Sequence, residues 1–500
     1  MRGNPLPVAL PVLVLTLAGC GAKAHPQITP DSRTVRELRA DLGRVFGAPT
    51  MARGTWAVDI RSLDSGERIY QLNADKLMMP ASNMKIVTLA AAAETLEWEF
   101  RFTTTLETLA PVEDGVLQGD LFIRGNGDPT ISAREGRAEA VFSEWAAALR
   151  AAGVSEIRGR IIGDDQAFDE QGIGPGWSWD YLEAGYAAPS GALQYNENTA
   201  SVTVVPGAAP GEPAIVRLPP GSGLAVITRA VTAAAGSEET IAVSRRIDSA
   251  VVEISGSVPA GAPDIRRTLA VLNPTLYLAQ AARDALVARG IAVTGHAVDF
   301  DDVAAEFVAA AGVERRVLGT TRSAPLREMA TVLMKVSQNL YAETLLKALG
   351  ASEHGVGTTQ AGRAVVRRML ASWGIPDDSY VNADGSGLSR YNYLAPAMVT
   401  AVLERMYRDP RHRDAFVVTL PIAGKDGTIS TRMRRTRAEA NAVAKTGSIA
   451  NVRSLSGFVR TRDGETLVFS IIANDFVVPA ATVNWIADLA VEILANFTRH

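Results

Sequence analysis

A short polar segment followed by a run of small and apolar residues constrains this chain more than any other stretch. The sequence PASNMK at residues 80–85 leads into IVTLAAAA at residues 86–93, which has the composition of a buried helix. Serine is favoured at a helix start because its oxygen can cap free backbone amides. Residues three apart share a helix face, so Ser82 and Lys85 should point the same way. The segment fits a core helix carrying a serine nucleophile with a lysine base, but alone the pattern more often means a helix cap and a solvated lysine.

Length and charge narrow the class of protein. The chain has 500 residues, more than most single domains, so we expect two or three domains. Apolar residues make up 47% and charged residues 21%, as in globular proteins with a large core. The net charge is −4, and Lys and Arg are scattered rather than clustered, which argues against a nucleic-acid partner.

Cysteine and histidine usage argues against a metal site. Cys20 is the only cysteine, so neither an intramolecular disulfide nor a cysteine-based metal site is expected. The five histidines lie far apart in the sequence, without the spacing of metal ligands. We therefore predict that the protein uses no metal and no cofactor.

The first residues predict export. Met1-Arg2 precede an uncharged apolar run at residues 8–17, which is typical of a secretory signal peptide and too short for a membrane span. The sequence LAGC at residues 17–20 resembles a bacterial lipobox, which implies cleavage before Cys20 and a lipid anchor on that residue. Ordinary cleavage after Ala24 is the alternative. Either reading predicts a periplasmic or cell-envelope protein.

Periodicity gives a coarse map of secondary structure. Helices are predicted over residues 28–46, 138–152, 274–289, 325–335, 340–349, 358–373, 395–407 and 483–497. Strands are predicted over residues 55–60, 67–72, 102–107, 117–124, 157–162, 455–460 and 466–473. Residues 202–254 are rich in Val, Thr, Pro and Gly and predict short antiparallel strands. Gly350 is predicted to end the helix that begins at residue 340.

Three short motifs occur in a fixed order along the chain. They are SNMK at residues 82–85, SQN at residues 337–339 and KTG at residues 445–447. The first opens a buried helix, the second lies between two predicted helices, and the third precedes a predicted hairpin. Each motif is common alone, but the ordered set is a strong signal. In this respect the chain resembles the penicillin-binding proteins and serine β-lactamases.

Further segments indicate which family of penicillin-binding proteins the chain resembles. About 250 residues separate the first two motifs, more than a bare β-lactamase fold requires. Residues 337–347, 384–390, 176–177 and 125–129 resemble the D-alanyl-D-alanine carboxypeptidase/endopeptidase family of class C, low-molecular-mass penicillin-binding proteins (peptidase family S13). This resemblance covers residues 30–498.

The resemblance implies an α/β (α+β) multidomain fold. It has a β-lactamase/transpeptidase-like domain, an antiparallel sheet flanked by helices, with two nested and mostly β-rich insertions between the first and second motifs. The predicted boundaries are residues 1–19 for a signal peptide, 20–29 for a linker, 30–104 and 316–500 for the catalytic domain, 105–126 and 222–315 for inserted domain II, and 127–221 for inserted domain III.

Chemistry and resemblance together predict the catalytic roles. Ser82 attacks a peptide carbonyl and forms an acyl-enzyme. Lys85 is the base, although an unperturbed lysine has a pKa near ~10.4. Desolvation and a second cation, Lys445, are expected to lower that pKa. Ser337 should relay a proton between the two lysines and the leaving amine. Asn339 should hold an amide group of the substrate.

The third motif is predicted to bind the substrate. The backbone amides of Ser82 and Ser448 should form the oxyanion hole. Gly447 lacks a side chain, which lets substrate lie along the strand edge. The hydroxyls of Thr446 and Ser448, with Lys445, can receive a terminal carboxylate.

Two more residues are assigned by resemblance alone. Asp180 and Arg390 fall where the family binds the free end of a peptidoglycan stem diamino acid. An aspartate suits an ammonium group and an arginine suits a carboxylate. Judged alone, both are more often surface salt-bridge residues.

The resemblance implies a serine D-alanyl-D-alanine carboxypeptidase that acts on stem peptides ending in D-Ala-D-Ala and is acylated by β-lactam antibiotics. Endopeptidase activity on cross-linked stems is left open. One alternative is a serine β-lactamase, which would need fast deacylation. The other is a non-catalytic wall-binding lipoprotein of the same fold.

Overall fold

A computed structural model describes residues 34–246, 249–310 and 312–499. The predicted signal peptide at residues 1–19, the linker at residues 20–29 and the predicted lipid site Cys20 lie outside the described residues. Within the described part, no helix combines the length and the apolar character that crossing a membrane requires.

The helices and strands are numbered in chain order. The helices are α1 (Val35–Phe46), α2 (Met84–Thr95), α3 (Arg137–Ala151), α4 (Pro274–Ala288), α5 (Phe300–Val303), α6 (Leu326–Lys335), α7 (Asn339–His354), α8 (Thr359–Ser372), α9 (Pro396–Arg408), α10 (Arg413–Val417) and α11 (Ala480–Asn496). The strands are β1 (Thr55–Ser62), β2 (Arg68–Leu72), β3 (Thr103–Thr108), β4 (Val112–Glu113), β5 (Val116–Leu117), β6 (Leu121–Gly125), β7 (Glu156–Ile157), β8 (Ile161–Asp164), β9 (Thr199–Val205), β10 (Ile215–Arg217), β11 (Ala225–Thr228), β12 (Val231–Ala233), β13 (Ala242–Arg245), β14 (Val251–Ser255), β15 (Ser257–Pro259), β16 (Ile265–Ala270), β17 (Ala292–Val293), β18 (Ala297–Asp299), β19 (Arg316–Arg322), β20 (Tyr380–Val381), β21 (Tyr393–Leu394), β22 (Val443–Ile449), β23 (Val452–Arg460) and β24 (Thr466–Asn474).

A five-stranded antiparallel sheet organises the catalytic domain. Its order is β2-β1-β24-β23-β22, so a strand from near the start of the chain pairs with strands from near its end. One face packs against α1 and α11, and the other is covered by a helical layer in which α9 contacts β1, β23 and β24. Because both faces are covered, every residue of β24 is buried. The mixed α/β class and the sheet flanked by helices confirm the predicted fold.

Helix α2 lies at the centre of the helical layer. Its residues from Met84 to Ala93 are all buried, and its small side chains let α7 and α9 pack closely against it. Ser82 lies just before it, in a 3₁₀ turn at Ala81–Asn83. No side chain of the described residues caps α2, and the Ser82 hydroxyl oxygen accepts a hydrogen bond from Lys85, so the helix-cap alternative does not describe this serine.

A large insertion leaves the catalytic domain at β3 and returns at β19, two strands that pair with each other. The first part of the insertion is a mixed sheet of order β18-β8-β6-β3-β19, a smaller sheet of order β17-β7-β5-β4, and helices α3 and α4 around a common core. Residues 199–270 add three small sheets with their own core.

Strand pairing inside the insertion crosses the predicted domain boundaries. Strand β6 pairs with β8 across the boundary at residue 126, and β9 pairs with β16 across the boundary at residue 221. The expectation of antiparallel strands over residues 202–254 is wrong in part, since β11 and β12 each pair in parallel with a later strand. Hydrophobic alternation locates a strand, but its partner is chosen by contacts between distant segments.

Glycines explain three further differences from the predicted elements. The predicted strands at residues 117–124 and 157–162 are each divided in two. A Cβ at Gly159 would lie 2.3 Å from the Gly119 carbonyl carbon, so the backbones meet where the strands break. Gly350 does not end α7, which continues to His354. A Cβ at Gly350 would lie 2.8 Å from the Thr358 carbonyl oxygen, so this glycine lets the chain at the start of α8 approach.

Candidate active site

The first motif forms a buried cluster around one amine. Lys85 is fully buried, and its Nζ donates to Ser82 Oγ at 2.9 Å, to Asn339 Oδ1 at 2.6 Å and to the Ser386 carbonyl oxygen at 2.8 Å. The distance to the hydroxyl is short enough for direct proton transfer. Once Lys85 has lost a proton, its lone pair can accept the proton of Ser82.

Burial changes the ionisation of both lysines. Burial lowers the pKa of Lys85 to about 7, while the negative charges of Glu343 and Asp384 act in the opposite direction. Burial also lowers the pKa of Lys445 well below its usual range, and the charge of Lys85 lowers it further. Desolvation, more than a second cation, therefore makes Lys85 available as a base near neutral pH.

A hydrogen bond from the side chain of Lys445 connects the third motif to the second. The Nζ of Lys445, also fully buried, donates to Ser337 Oγ at 2.7 Å and to the Thr446 carbonyl oxygen at 2.8 Å. Ser337 lies between α6 and α7 in the left-handed region, with a φ of 64°. Non-glycine residues rarely adopt this conformation, and they are found in it most often at functional sites. The arrangement suits the predicted proton relay.

Asn339 links the catalytic domain to the insertion. Its Oδ1 accepts from Lys85, and its Nδ2 donates to the Tyr186 carbonyl oxygen at 2.7 Å. Its amide therefore orients the base as well as lining the cleft. The predicted contact of Asn339 with a substrate amide stays a prediction.

Strand β22 passes directly beside the nucleophile. Asn83 Nδ2 donates to the Lys445 carbonyl oxygen at 2.8 Å and holds the two segments together. A Cβ at Gly447 would lie 2.6 Å from the Pro80 carbonyl oxygen and 2.9 Å from the Ser82 amide nitrogen. Only glycine allows this approach, which suits an oxyanion hole formed by the amides of Ser82 and Ser448.

An open cleft of about 490 Å³ lies above these groups. Five residues predicted from the motifs line it: Ser82, Ser337, Asn339, Thr446 and Ser448. The structure thus brings three motifs into one site, although they are separated by hundreds of residues in the sequence.

The two residues assigned by resemblance alone are not among the residues that line this cleft. Arg390 is half-buried, and its Nη2 donates to the carbonyl oxygen of Ala450, a residue of the cleft wall, at 3.0 Å. Asp180 is exposed and lines a neighbouring cavity of about 410 Å³ with Trp179 and Arg245. Their predicted role in binding a stem diamino acid stays a prediction.

Two tyrosines of the insertion form a wall that was not assigned from the sequence. Tyr181 and Tyr186 line the cleft, and their rings meet edge to face with centroids 5.7 Å apart. The Tyr181 hydroxyl also accepts from the Ala450 amide at 3.3 Å. The clustered aromatic residues at 177–195 were the available signal, but nothing local indicated which of them face the nucleophile.

A buried carboxylate positions the partner of Lys85. Glu343, on α7, accepts from the Gly385 amide at 3.0 Å and from the Ser386 amide at 2.8 Å. Burial and, second to it, the charge of Asp384 raise the pKa of Glu343 to about 7, while the hydrogen bonds from Ser386 and Gly385 act in the opposite direction. These bonds hold the Ser386 carbonyl against Lys85. Glu343 follows Asn339 by four residues on one helix face, which was the available signal.

The ionisation of Lys85 predicts a pH dependence for acylation. The neutral amine is the base, so the reactive fraction rises as pH increases through the pKa of about 7. We expect the second-order rate of acylation by penicillin to rise about tenfold per pH unit below that value and to level off above it. Stopped-flow measurement of the rate between about pH 5 and 9 checks this. A rate that falls over the range would contradict it.

The chain is similar to known proteins over most of its length. A family model described as D-Ala-D-Ala carboxypeptidase 3 (S13) matches residues 38–496. The chain is 33% identical to a D-alanyl-D-alanine carboxypeptidase of Actinomadura sp. (strain R39), over 99% of this chain and 90% of that protein. It is 27% identical to the D-alanyl-D-alanine carboxypeptidase DacB of Haemophilus influenzae, over 83% and 84% of the two chains.

A solved structure shares the architecture. The crystal structure of penicillin binding protein 4 from Haemophilus influenzae superposes with a TM-score of 0.78 at 25% identity, covering 91% of this chain and 99% of that one. The similarity therefore includes the insertion as well as the catalytic domain.

Proposed function

The chain belongs to the D-Ala-D-Ala carboxypeptidase 3 (S13) family of serine-type peptidases, and we propose that it removes the terminal D-alanine of peptidoglycan stem peptides through an acyl-enzyme on Ser82. One observation carries the proposal. The hydrogen bonds from Lys85 to Ser82 and from Lys445 to Ser337 are made at the floor of a single open cleft.

Acylation begins with proton transfer from Ser82 to neutral Lys85. The Ser82 oxygen attacks the carbonyl carbon of the penultimate D-alanine, and the carbonyl oxygen takes up negative charge near the amides of Ser82 and Ser448. The C–N bond then breaks. Ser337, which Lys445 contacts, gives its proton to the leaving amine of D-alanine, and the proton that Ser82 passed to Lys85 replaces it through Lys445, so Lys85 is neutral again.

Hydrolysis restores the enzyme. Water attacks the ester carbonyl and gives up a proton to the amine of Lys85 as it does so. The ester C–O bond breaks, and Ser82 recovers its proton from Lys85. A β-lactam follows the first half of this path, and its opened ring stays attached to Ser82. The hydroxyls of Thr446 and Ser448 on the cleft wall suit a terminal carboxylate in both ligands.

We also propose that the protein is exported and lipid-anchored at Cys20. The apolar run at residues 8–17 and the LAGC sequence at residues 17–20 support this. Palmitate labelling of cells that express the full chain, with Cys20→Ala as control, tests the anchor. Retained label in the variant would contradict it.

The proposed activity is tested with purified muropeptides. The full mature chain is incubated with monomeric pentapeptide muropeptides and with cross-linked dimers, and the products are read by mass spectrometry. We expect each monomer to lose one alanine residue. In a separate incubation with penicillin, we expect the protein to gain one penicillin molecule on the peptide that contains Ser82. Cleavage of the dimers would add endopeptidase activity.

The two alternatives give different results in these assays and in an assay of nitrocefin hydrolysis. A serine β-lactamase would hydrolyse nitrocefin rapidly and leave the pentapeptides intact. A non-catalytic wall-binding protein would neither release D-alanine nor take up penicillin. Either pattern would contradict the carboxypeptidase proposal.

A further inference from the structure

A second cavity lies where the insertion meets the helical layer of the catalytic domain. Its volume is about 590 Å³, within the range of small-molecule sites. Its walls come from the loop before β3, from residues that lead into α3, from the end of β19 and from α6. It shares no lining residue with the catalytic cleft.

The lining of this cavity is strongly basic. It has one carboxylate, that of Glu328, and four guanidinium groups, those of Arg101, Arg134, Arg137 and Arg322. Guanidinium groups stay protonated in proteins, so this positive charge does not depend on pH in the physiological range. Four like charges around one cavity repel one another, and a bound anion relieves that repulsion.

Two of these arginines already form hydrogen bonds or contacts with carboxylates of the protein. Arg134 contacts Glu197 Oε1 at 3.0 Å through Nε and at 2.6 Å through Nη2. Arg137 Nη2 donates to the Arg322 carbonyl oxygen at 2.6 Å, and its Nη1 lies 3.8 Å from Glu144. The Nε of Arg137 is nevertheless buried and has no hydrogen-bond partner in the structure. An unsatisfied buried donor of this kind is costly.

The other two arginines keep their charge uncompensated. Arg101 donates to the Ser323 carbonyl oxygen at 2.7 Å. Among the residues that the structure describes, no carboxylate lies within 4.0 Å of Arg101 or Arg322, and both arginines are exposed. They lie on different segments of the chain and face one cavity, so a ligand can engage both.

Two helix starts add to the positive potential. Pro325, directly before α6, and Arg137, the first residue of α3, both line the cavity. The helix macrodipole places partial positive charge there, although the first amides are already engaged: Leu326 N donates to the Phe100 carbonyl oxygen at 2.8 Å and Ala138 N to the Ser132 carbonyl oxygen at 2.8 Å. Met329 and Val332 form an apolar part of the wall, which reduces the screening of these charges by water.

We propose that this cavity binds a ligand that carries two or more neighbouring oxyanion groups, as phosphates or carboxylates. The planar fork of guanidinium matches both groups in bidentate fashion. A single anion can contact one fork, whereas the spread of four arginines over about 590 Å³ suits several linked anionic groups. The proposal does not depend on the activity assigned to Ser82.

Binding is tested by calorimetry on the full mature chain at an ionic strength of about 0.15 M, where the Debye length is about 8 Å, with pyrophosphate, citrate and inorganic phosphate as probes. The double variant R101Q/R322Q removes the two uncompensated charges, and we expect it to weaken binding at least about tenfold. The control R266Q/R316Q removes two exposed arginines of the insertion that do not line the cavity. It should change affinity less than about twofold, because distant exposed charges are screened.

The relative affinities for the probes show which kind of anion the cavity binds. Tighter binding of pyrophosphate than of citrate assigns the site to phosphates, and the reverse assigns it to carboxylates. No saturable binding of either probe, or equal losses in the two double variants, overturns the proposal. Both variants should take up penicillin at the wild-type rate, which shows that they are folded and separates this result from any failure at Ser82.

Discussion

Replacing Ser82 with alanine is expected to abolish covalent labelling by penicillin and release of D-alanine, while the fold persists. The substitution removes one hydroxyl, whose contact in the structure is with Lys85. Lys85 keeps its hydrogen bonds to Asn339 and to the Ser386 carbonyl, so no buried amine is left unpaired. Removing the serine nucleophile of an enzyme lowers kcat by about 10⁶-fold.

Fluorescent penicillin on a denaturing gel measures the labelling, and thermal unfolding checks the fold. The unfolding free energy should change by less than about 1 kcal/mol, as expected for the loss of one hydroxyl that leaves its partner satisfied. Ser352→Ala, at an exposed part of α7, provides a matched control that should label normally. Labelling of Ser82→Ala at the wild-type level would mean that another residue is the nucleophile.

Replacing Lys85 with methionine is expected to slow acylation by about 10⁴-fold, the upper end of what a positioned general base contributes. Methionine has a similar length and fits a fully buried site, but it cannot accept the Ser82 proton. The loss should be in the rate of acylation more than in the initial binding of penicillin, because Lys85 lies beneath the cleft floor. Stopped-flow kinetics over a range of penicillin concentrations separates the two.

A second buried lysine gives this experiment its control. Lys347 lies on α7, is as deeply buried as Lys85, and pairs with Asp169 at 2.7 Å. It does not line the catalytic cleft. Lys347→Met therefore removes a buried ammonium group at a comparable cost to packing, and it should acylate within about threefold of the wild-type rate. If both variants lose acylation equally, the loss follows from removing a buried amine in general, and it gives Lys85 no specific role as base.

Much of the site was predictable because its parts are local sequence patterns. The SNMK, SQN and KTG motifs each fix a few residues next to a helix or strand start, and their order identified the family. The flanking elements were also predictable, since the sequence of β1 alternates, β24 is a largely apolar run, and α2 consists mostly of small and apolar residues.

Other parts had no local signal. Glu343 was part of a matched segment, but its role depends on accepting the amides of Gly385 and Ser386, some forty residues away. The lining of the second cavity brings together arginines at positions 101, 134, 137 and 322, which form no sequence motif. The grouping of strands in the insertion likewise depends on pairing between segments such as β9 and β16.

The amino-acid sequence by itself determined which reactive groups the chain carries and which short elements hold them, because a helix face or a strand edge follows from spacing within about ten residues. Only the tertiary structure decided how those groups behave. The pKa of Lys85, the orientation of Asn339 and the strong positive charge of the second cavity all arise from burial and from neighbours remote in sequence. Desolvation and Coulomb interaction depend on distance through space, which residue spacing does not specify.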